Sequence, residues 1–249
     1  MSENVLVVGA TSGIARALCH RLAERGCGLV LAGRSVEELT RMARDLEIRY
    51  KAAVFVEPFE AMDYQGHREF FDRCVERFDG DLKGTILCYG YLPEQRNTQV
   101  DLSEARRTVE VNFLSAVSVL SQAADYMEKQ KGGYLAAISS VAGDRGRQSN
   151  YTYGAAKAAL TVYLQGLRNR LHHAGVHVLT VKPGFVDTPM THGLVNPDSP
   201  LVASPARVAK SIDRAIRKRK NVIYSPWFWR AIMAVICLVP EPLFKRLKL

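Results

Sequence analysis

Asn4-Val-Leu-Val-Val-Gly-Ala-Thr-Ser-Gly-Ile-Ala-Arg-Ala-Leu18 is the stretch that decides the fold. Residues 4–9 are a short apolar, β-branched run that stops at glycine, and apolar side chains then return at Ile14, Ala17, Leu18 and Leu22, the spacing of one helix face. The reading is strand, turn, helix. Glycines in such a turn let the backbone fold back tightly and approach a pyrophosphate, while the helix N-terminus offers free N–H groups and the positive end of its dipole. Gly9, Thr11, Ser12, Gly13 and Ile14 are therefore candidate dinucleotide contacts.

The same alternation recurs along the chain. Strand-like runs at 28–32, 52–56 and 84–87 precede helical patterns at 35–47, 64–78 and 101–130, and a run at 134–139 precedes a helix at 151–174, followed by a run at 176–181. Six or more strands alternating with helices, apolar on both faces, predict an α/β fold: a single-domain, doubly wound Rossmann-like parallel sheet with helices on both sides. A Rossmann-like dinucleotide-binding domain is expected over 1–225, with an apolar and basic tail at 226–249. Residues 185–205 carry four prolines and little periodicity, which predicts a loop over the carboxyl ends of the strands, a substrate lid.

In 249 residues, 47% hydrophobic, there is enough material for a core. The net charge of +9 is uneven: residues 207–248 hold 11 bases and two acids, and the rest of the chain balances. Such a block suits an anionic partner or a solvated face. The five cysteines are scattered with no C-x-x-C pair, so neither a disulfide framework nor a metal site is expected. No basic flank or cleavage pattern surrounds the first apolar run, and a cytoplasmic protein is expected.

Where the second strand ends, the chain has Gly33-Arg34-Ser35. A guanidinium there pairs with a 2′-phosphate that an acid would repel, so Arg34 favours NADP(H) over NAD(H). Ser139-Ser140 follows the fifth strand, and Tyr153-Gly-Ala-Ala-Lys157 opens the next helix. Tyr and Lys four apart share one helix face, and an ammonium near the phenol favours its ionised form, lowering a pKa that starts near about 10. Such a phenol can protonate a carbonyl oxygen. A chance surface pair has the same spacing, but here a serine precedes it and a dinucleotide turn lies upstream.

These motifs resemble the short-chain dehydrogenase/reductase family over about residues 4–190. The resemblance implies that Tyr153 is the acid/base, that Lys157 tunes it and holds the nicotinamide ribose, and that Ser140, ahead of Val-Ala-Gly, bonds the substrate oxygen. It implies that Asn112, in Glu-Val-Asn-Phe-Leu-Ser, supports a proton relay, and that Pro183, Gly184, Val186 and Thr188 line the nicotinamide. Where the family has Asn-Asn-Ala-Gly, this chain has Leu87-Cys-Tyr-Gly90, so the turn at Gly90 carries over and the asparagine contacts do not. The third strand ends Val56-Glu-Pro-Phe59 with no clear aspartate for adenine. A homodimer or homotetramer through the helices carrying Asn112 and Tyr153 is implied by resemblance alone.

At the C-terminus, the apolar run 231–239 is far shorter than the roughly 20 residues that span a bilayer. Trp227, Trp229 and flanking bases suit either an anionic membrane surface or a helix packed on the sheet or between subunits. Nucleic acid is not expected, since the aromatics lie within an apolar run. With the loop 142–150, this tail resembles the decaprenylphosphoryl-2-keto-pentose reductase branch, which implies a lipid-phosphate-linked 2-keto-sugar substrate, Arg145 or Arg147 on its phosphate, a flavoprotein oxidase as partner, and a site at the inner face of the membrane. The reading is an NADPH-dependent ketone reductase. A soluble apolar ketone or alcohol is the alternative substrate, and a non-catalytic dinucleotide-binding, membrane-docking module the alternative of another class.

Overall fold

The computed structural model describes residues 3–193, 196 and 198–247. Its frame is a parallel sheet of seven strands in the order β3-β2-β1-β4-β5-β6-β9. These are β1 (Asn4–Val8), β2 (Gly28–Gly33), β3 (Val54–Pro58), β4 (Gly84–Leu87), β5 (Tyr134–Ile138), β6 (His177–Pro183) and β9 (Val222–Ser225). Two-residue strands β7 (Phe185–Val186) and β8 (Val202–Ala203) pair with each other apart from the sheet.

Successive side chains of a strand point to opposite faces, and β1 shows both cores at once. Val5 and Val7 join the helices α1 (Gly13–Glu24), α2 (Val36–Tyr50) and α8 (Pro205–Arg217), whereas Leu6 and Val8 join α3 (His67–Glu76), α6 (Ser115–Gln130) and α7 (Tyr151–Leu171). Because both faces are covered, continuous apolar strands were required, as the sequence shows. The chain order reverses between β1 and β4, which both pair with their neighbours in parallel register, Val8 lying beside Ala32 on one side and Leu87 on the other. The crevice beyond those carboxyl ends is where this class of sheet takes ligands.

One expectation is corrected, and two segments gain elements that periodicity did not mark. The single helix expected over 101–130 is α5 (Leu102–Val109), a π turn over Glu110–Leu114, and α6, with a further short helix α4 (Gln95–Val100) before it. Asp101 caps α5 by accepting from Ser103 N at 2.8 Å, and Asn112 sits in the π turn, a wide turn that re-aims a side chain. Asn221–Ser225, which periodicity left without an element, supplies the edge strand β9, bonded to β6 with Val181 beside Ile223. The expected lid contains β7, a 3-10 turn at Pro189–Thr191 and β8, while Leu194, Val195 and Pro197 lie outside the described residues.

The basic block also divides. Arg217 points back to Asp213 at 3.5 Å and Arg219 donates to the Gly175 carbonyl at 2.7 Å, so β9 separates these cations from the apolar helix α9 (Trp229–Leu238) and the short α10 (Glu241–Phe244). Asp213, 1% exposed, accepts from Arg21 at 3.2 Å and Arg25 at 2.6 Å and so ties α8 to α1. Removing it leaves three arginines facing each other, moderated by their partial contact with water. Asp213→Ala is expected to lower stability by about 2–3 kcal/mol, read as a lower urea midpoint with unchanged slope.

Candidate active site

The turn after β1 is built for close approach. Gly9 adopts φ +80°, and a Cβ there would lie 2.7 Å from Tyr89 N and Cβ. Its N–H and that of Ala10 both donate to Ala32 O, at 2.8 and 3.0 Å, and Ser12 Oγ caps α1 by accepting from Ala15 N at 3.3 Å. A narrow backbone cradle thus meets the free N–H groups of a 12-residue helix. Thr188 stands over this helix start: its Cγ2 is 3.3 Å from where a Cβ on Gly13 would be. The turn after β6 and the turn after β1 therefore face one another.

Arg34 follows β2 directly and precedes Ser35, the N-cap of the 15-residue α2, whose Oγ accepts from Glu38 N at 3.4 Å. Its guanidinium has no carboxylate partner among the described residues and lines a cavity of about 360 Å³ whose wall holds Pro58, Phe59 and His67 and also the acids Glu60, Asp63 and Glu69. An unpaired cation beside a helix N-terminus suits a phosphate, and an apolar wall beside it suits an adenine ring. Phe59 stacks on His67 at 5.2 Å between centroids, where sequence reasoning found no adenine contact. The residues present thus fit a dinucleotide, with Arg34 the cation at the end of β2 that can meet an anionic group on it.

Beyond β4, Cys88 N continues the ladder to Val8 O at 2.8 Å, and Tyr89 OH meets Ser115 Oγ at 2.8 Å. Tyr89 thus ties this turn to α6. Asn112, 1% exposed, grips the same turn: its amide donates to Tyr91 O at 2.6 Å and Thr108 O at 2.9 Å, and its carbonyl oxygen accepts from Tyr91 N at 3.2 Å. A Cβ on Gly90 would lie 2.8 Å from Asn112 Oδ1 and 3.5 Å from Lys157 Nζ, so Gly90, Asn112 and Lys157 converge.

Two glycines bring Ser140 to Tyr153. A Cβ on Gly154 would lie 2.7 Å from Ala142 O, and one on Gly143 2.7 Å from Ala158 N, so α7 touches the 3-10 turn Val141–Gly143 backbone to backbone. Ser139 is buried and spent on Lys157 O at 2.9 Å and Thr161 Oγ1 at 2.8 Å. Ser140 begins the turn, accepting from Ala142 N at 3.0 Å, and its hydroxyl pulls the Tyr153 phenol toward ionisation.

Burial acts more strongly than that pull. It pushes the Tyr153 phenol up to about 12, against the lowering expected from its lysine neighbour. Lys157, 3% exposed, is itself pulled down to about 8 by desolvation. Its ammonium donates to Ile138 O at 2.9 Å and lies 5.7 Å from the centre of the Tyr153 ring. The two groups share a face, as the spacing required, but the dry surroundings disfavour both charges.

The loop after Ser140 carries contacts that no motif announced. Asp144 forms an ion pair with Lys182, the residue before Pro183, and accepts from Tyr224 OH of β9 at 2.9 Å. This buried pair locks the serine loop to β6 and the sheet edge. Arg145 is engaged by the C-terminal segment. Its guanidinium donates to the carbonyls of Ile236 and Val239 at 2.6 Å each and to Glu241 at 3.0 Å, and it stacks on Phe244, closing the carbonyl end of α9. Arg147 differs: it is half-buried, Nε has no partner among the described residues, and desolvation lowers its pKa while Asp144 opposes that.

Known proteins are similar to this chain in sequence and in fold. The family profile described as short chain dehydrogenase matches residues 3–198. An uncharacterized oxidoreductase of Mycobacterium tuberculosis is 34% identical over 243 residues, covering 98% of this chain and 96% of the relative. A solved short-chain dehydrogenase from Sphingobium yanoikuyae in complex with NADPH has a TM-score of 0.82 at 22% identity, over 96% of this chain and 97% of that one. An actinorhodin polyketide ketoreductase with NADPH has a TM-score of 0.81 at 21% identity, over 90% and 95%. The structural likenesses concern the fold; on the sequence matches, the chain belongs to the short chain dehydrogenase family and is an oxidoreductase.

Proposed function

We propose that the chain reduces a ketone to a secondary alcohol with NADPH, Tyr153 giving its proton to the carbonyl oxygen. The observation that carries this reading is the state of the buried pair. With the phenol held near 12 and the ammonium near 8, Tyr153 keeps its proton at neutral pH and Lys157 keeps its charge. A neutral phenol is a donor, which suits reduction. As the proton leaves, a phenolate forms on the same helix face as a cation in a medium of low dielectric, and their attraction offsets the desolvation that opposed ionisation. The Ser140 hydroxyl, beside the phenol, polarises the carbonyl and holds it within reach of that proton.

NADPH, when bound, supplies the hydride. The Gly9–Gly13 turn with Thr11, Ser12 and Ile14 would hold its pyrophosphate, Arg34 its 2′-phosphate, and Pro183, Gly184, Val186 and Thr188 its nicotinamide end, with Gly90 and Lys157 at the ribose. Asn112 acts by fixing the Gly90 turn against Lys157. Bound NADPH in two proteins of the same fold supports the choice of cofactor.

For the substrate, the half-buried Arg147 in the serine loop, whose Nε has no partner among the described residues, favours a ketone that carries an anionic group. The lipid-phosphate-linked 2-keto-sugar suggested by the loop and tail is such a molecule, with Arg147 on its phosphate and Arg145 left to the C-terminal helix. A soluble apolar ketone is the reading that remains where Arg147 is immaterial. In the same picture the chain pairs through the helices around Asn112 and Tyr153, whose outer surfaces expose Leu102, Leu114 and Val162.

Tyr153→Phe is expected to lower turnover of a ketone panel by about 10²–10⁴-fold with a far smaller change in NADPH affinity; wild-type turnover would refute the proton-donor role. Arg34→Ala should weaken NADPH binding by about 10- to 100-fold in fluorescence titrations and leave NADH binding unchanged. Arg147→Ala should raise KM about tenfold for a phosphate-bearing ketone but not for a neutral one, and equal KM values would remove the anionic group from the substrate.

A further inference from the structure

The segment after β9 has one side committed to the domain and one side that nothing in the described chain covers. Inward, Trp229 and Met233 of α9 pack on Val141, and a Cβ on Gly184 would lie 1.9 Å from Trp229 Nε1, so the helix is seated against the serine turn and the segment after β6. Outward, Trp227 is 77% exposed, Val235 65% and Leu238 81%, and Leu243 and Leu247, after the helix, are exposed as well. Residues 231, 234, 235 and 238 fall on one face of α9, with Trp227 in the turn just before it, and all are exposed. An unbroken apolar stripe with an indole at its edge marks a contact surface.

The charges beside it have one sign. Arg230, Lys245 and Arg246 are exposed and have no carboxylate partner among the described residues. Glu241, the one acid between residues 226 and 247, is held by Arg145 at 3.0 Å. No helix among the described residues is long and apolar enough to cross a membrane.

We propose that this face docks in the plane of an anionic lipid bilayer. The indole and leucines enter the boundary between headgroups and acyl chains, and the three cations meet lipid phosphates. Charge disfavours a second copy of the chain as occupant, since a two-fold contact would oppose the same cations with no free acid to pair them. Arg145, in the loop that follows Ser140, fixes the angle of α9, so docking also sets the mouth of the site at the lipid surface. The proposal does not depend on the identity of the ketone.

The test uses the full chain in co-sedimentation with vesicles of phosphatidylcholine alone or mixed with phosphatidylglycerol. The expected result is binding to the mixed vesicles only, weakened by added salt, with a blue shift of tryptophan emission that Trp227→Phe removes without abolishing binding. The double variant Val235→Asp/Leu238→Asp, altered only at exposed positions, should lose vesicle affinity by about tenfold or more with unchanged circular dichroism and melting. Failure of the wild type to bind mixed vesicles, equal binding to phosphatidylcholine alone, or undiminished binding by the double variant would overturn the proposal. So would a wild-type oligomer, formed without vesicles, that the double variant dissociates, because the face would then belong to a second copy.

Discussion

Desolvation of two ionisable groups on one helix face is the constraint around which the rest of the site is arranged. Water would let the phenol of Tyr153 and the amine of Lys157 titrate independently. Their shared burial makes each charge expensive alone and tolerable only in company. The ammonium therefore leans on the Ile138 carbonyl, the serine turn is pressed against α7, and the turn at Gly90 is clamped by Asn112. Each contact excludes solvent from the place where charge must appear during reaction.

Parallel topology makes such exclusion possible. With helices over both faces, only the carboxyl ends of the strands remain open, and the reversal between β1 and β4 splits the loops there into two groups facing one crevice. One group carries the Gly9 turn and Arg34; the other carries Gly90, Ser140 and the segment from Pro183 to Thr188. Asp144 and Lys182 then tie the second group together below the surface, so that serine loop and strand end move as a unit.

Most of the frame was legible because strand and helix leave periodic signatures, and the glycine turn between β1 and α1 leaves a local one. Tyr153 and Lys157 were legible for the same reason: a helix fixes what four-residue spacing means. What periodicity misses is anything set by distant partners. The edge strand β9 is too short and too mixed to stand out, and only its ladder with β6 makes it a strand. The π turn at Asn112 looks helical in sequence on both sides. Arg145 and Arg147 are near neighbours in one loop, and no local pattern distinguishes the one that closes α9 from the one whose Nε has no partner among the described residues. The direction of the Tyr153 shift was misjudged because spacing reports a neighbour's charge and says nothing about how dry the surroundings are.

The grip of Asp213 on Arg21 and Arg25 spans 192 and 188 positions of chain. The first helix thus gains its charge partners from one of the last, across nearly the whole polypeptide. Contacts of such sequence separation are slow to find and form together, so neither half of the chain constitutes a finished subunit of folding. A chain that ended before α8 would leave Arg21 and Arg25 without that carboxylate, and the helix behind the dinucleotide turn without its tie to the end of the domain.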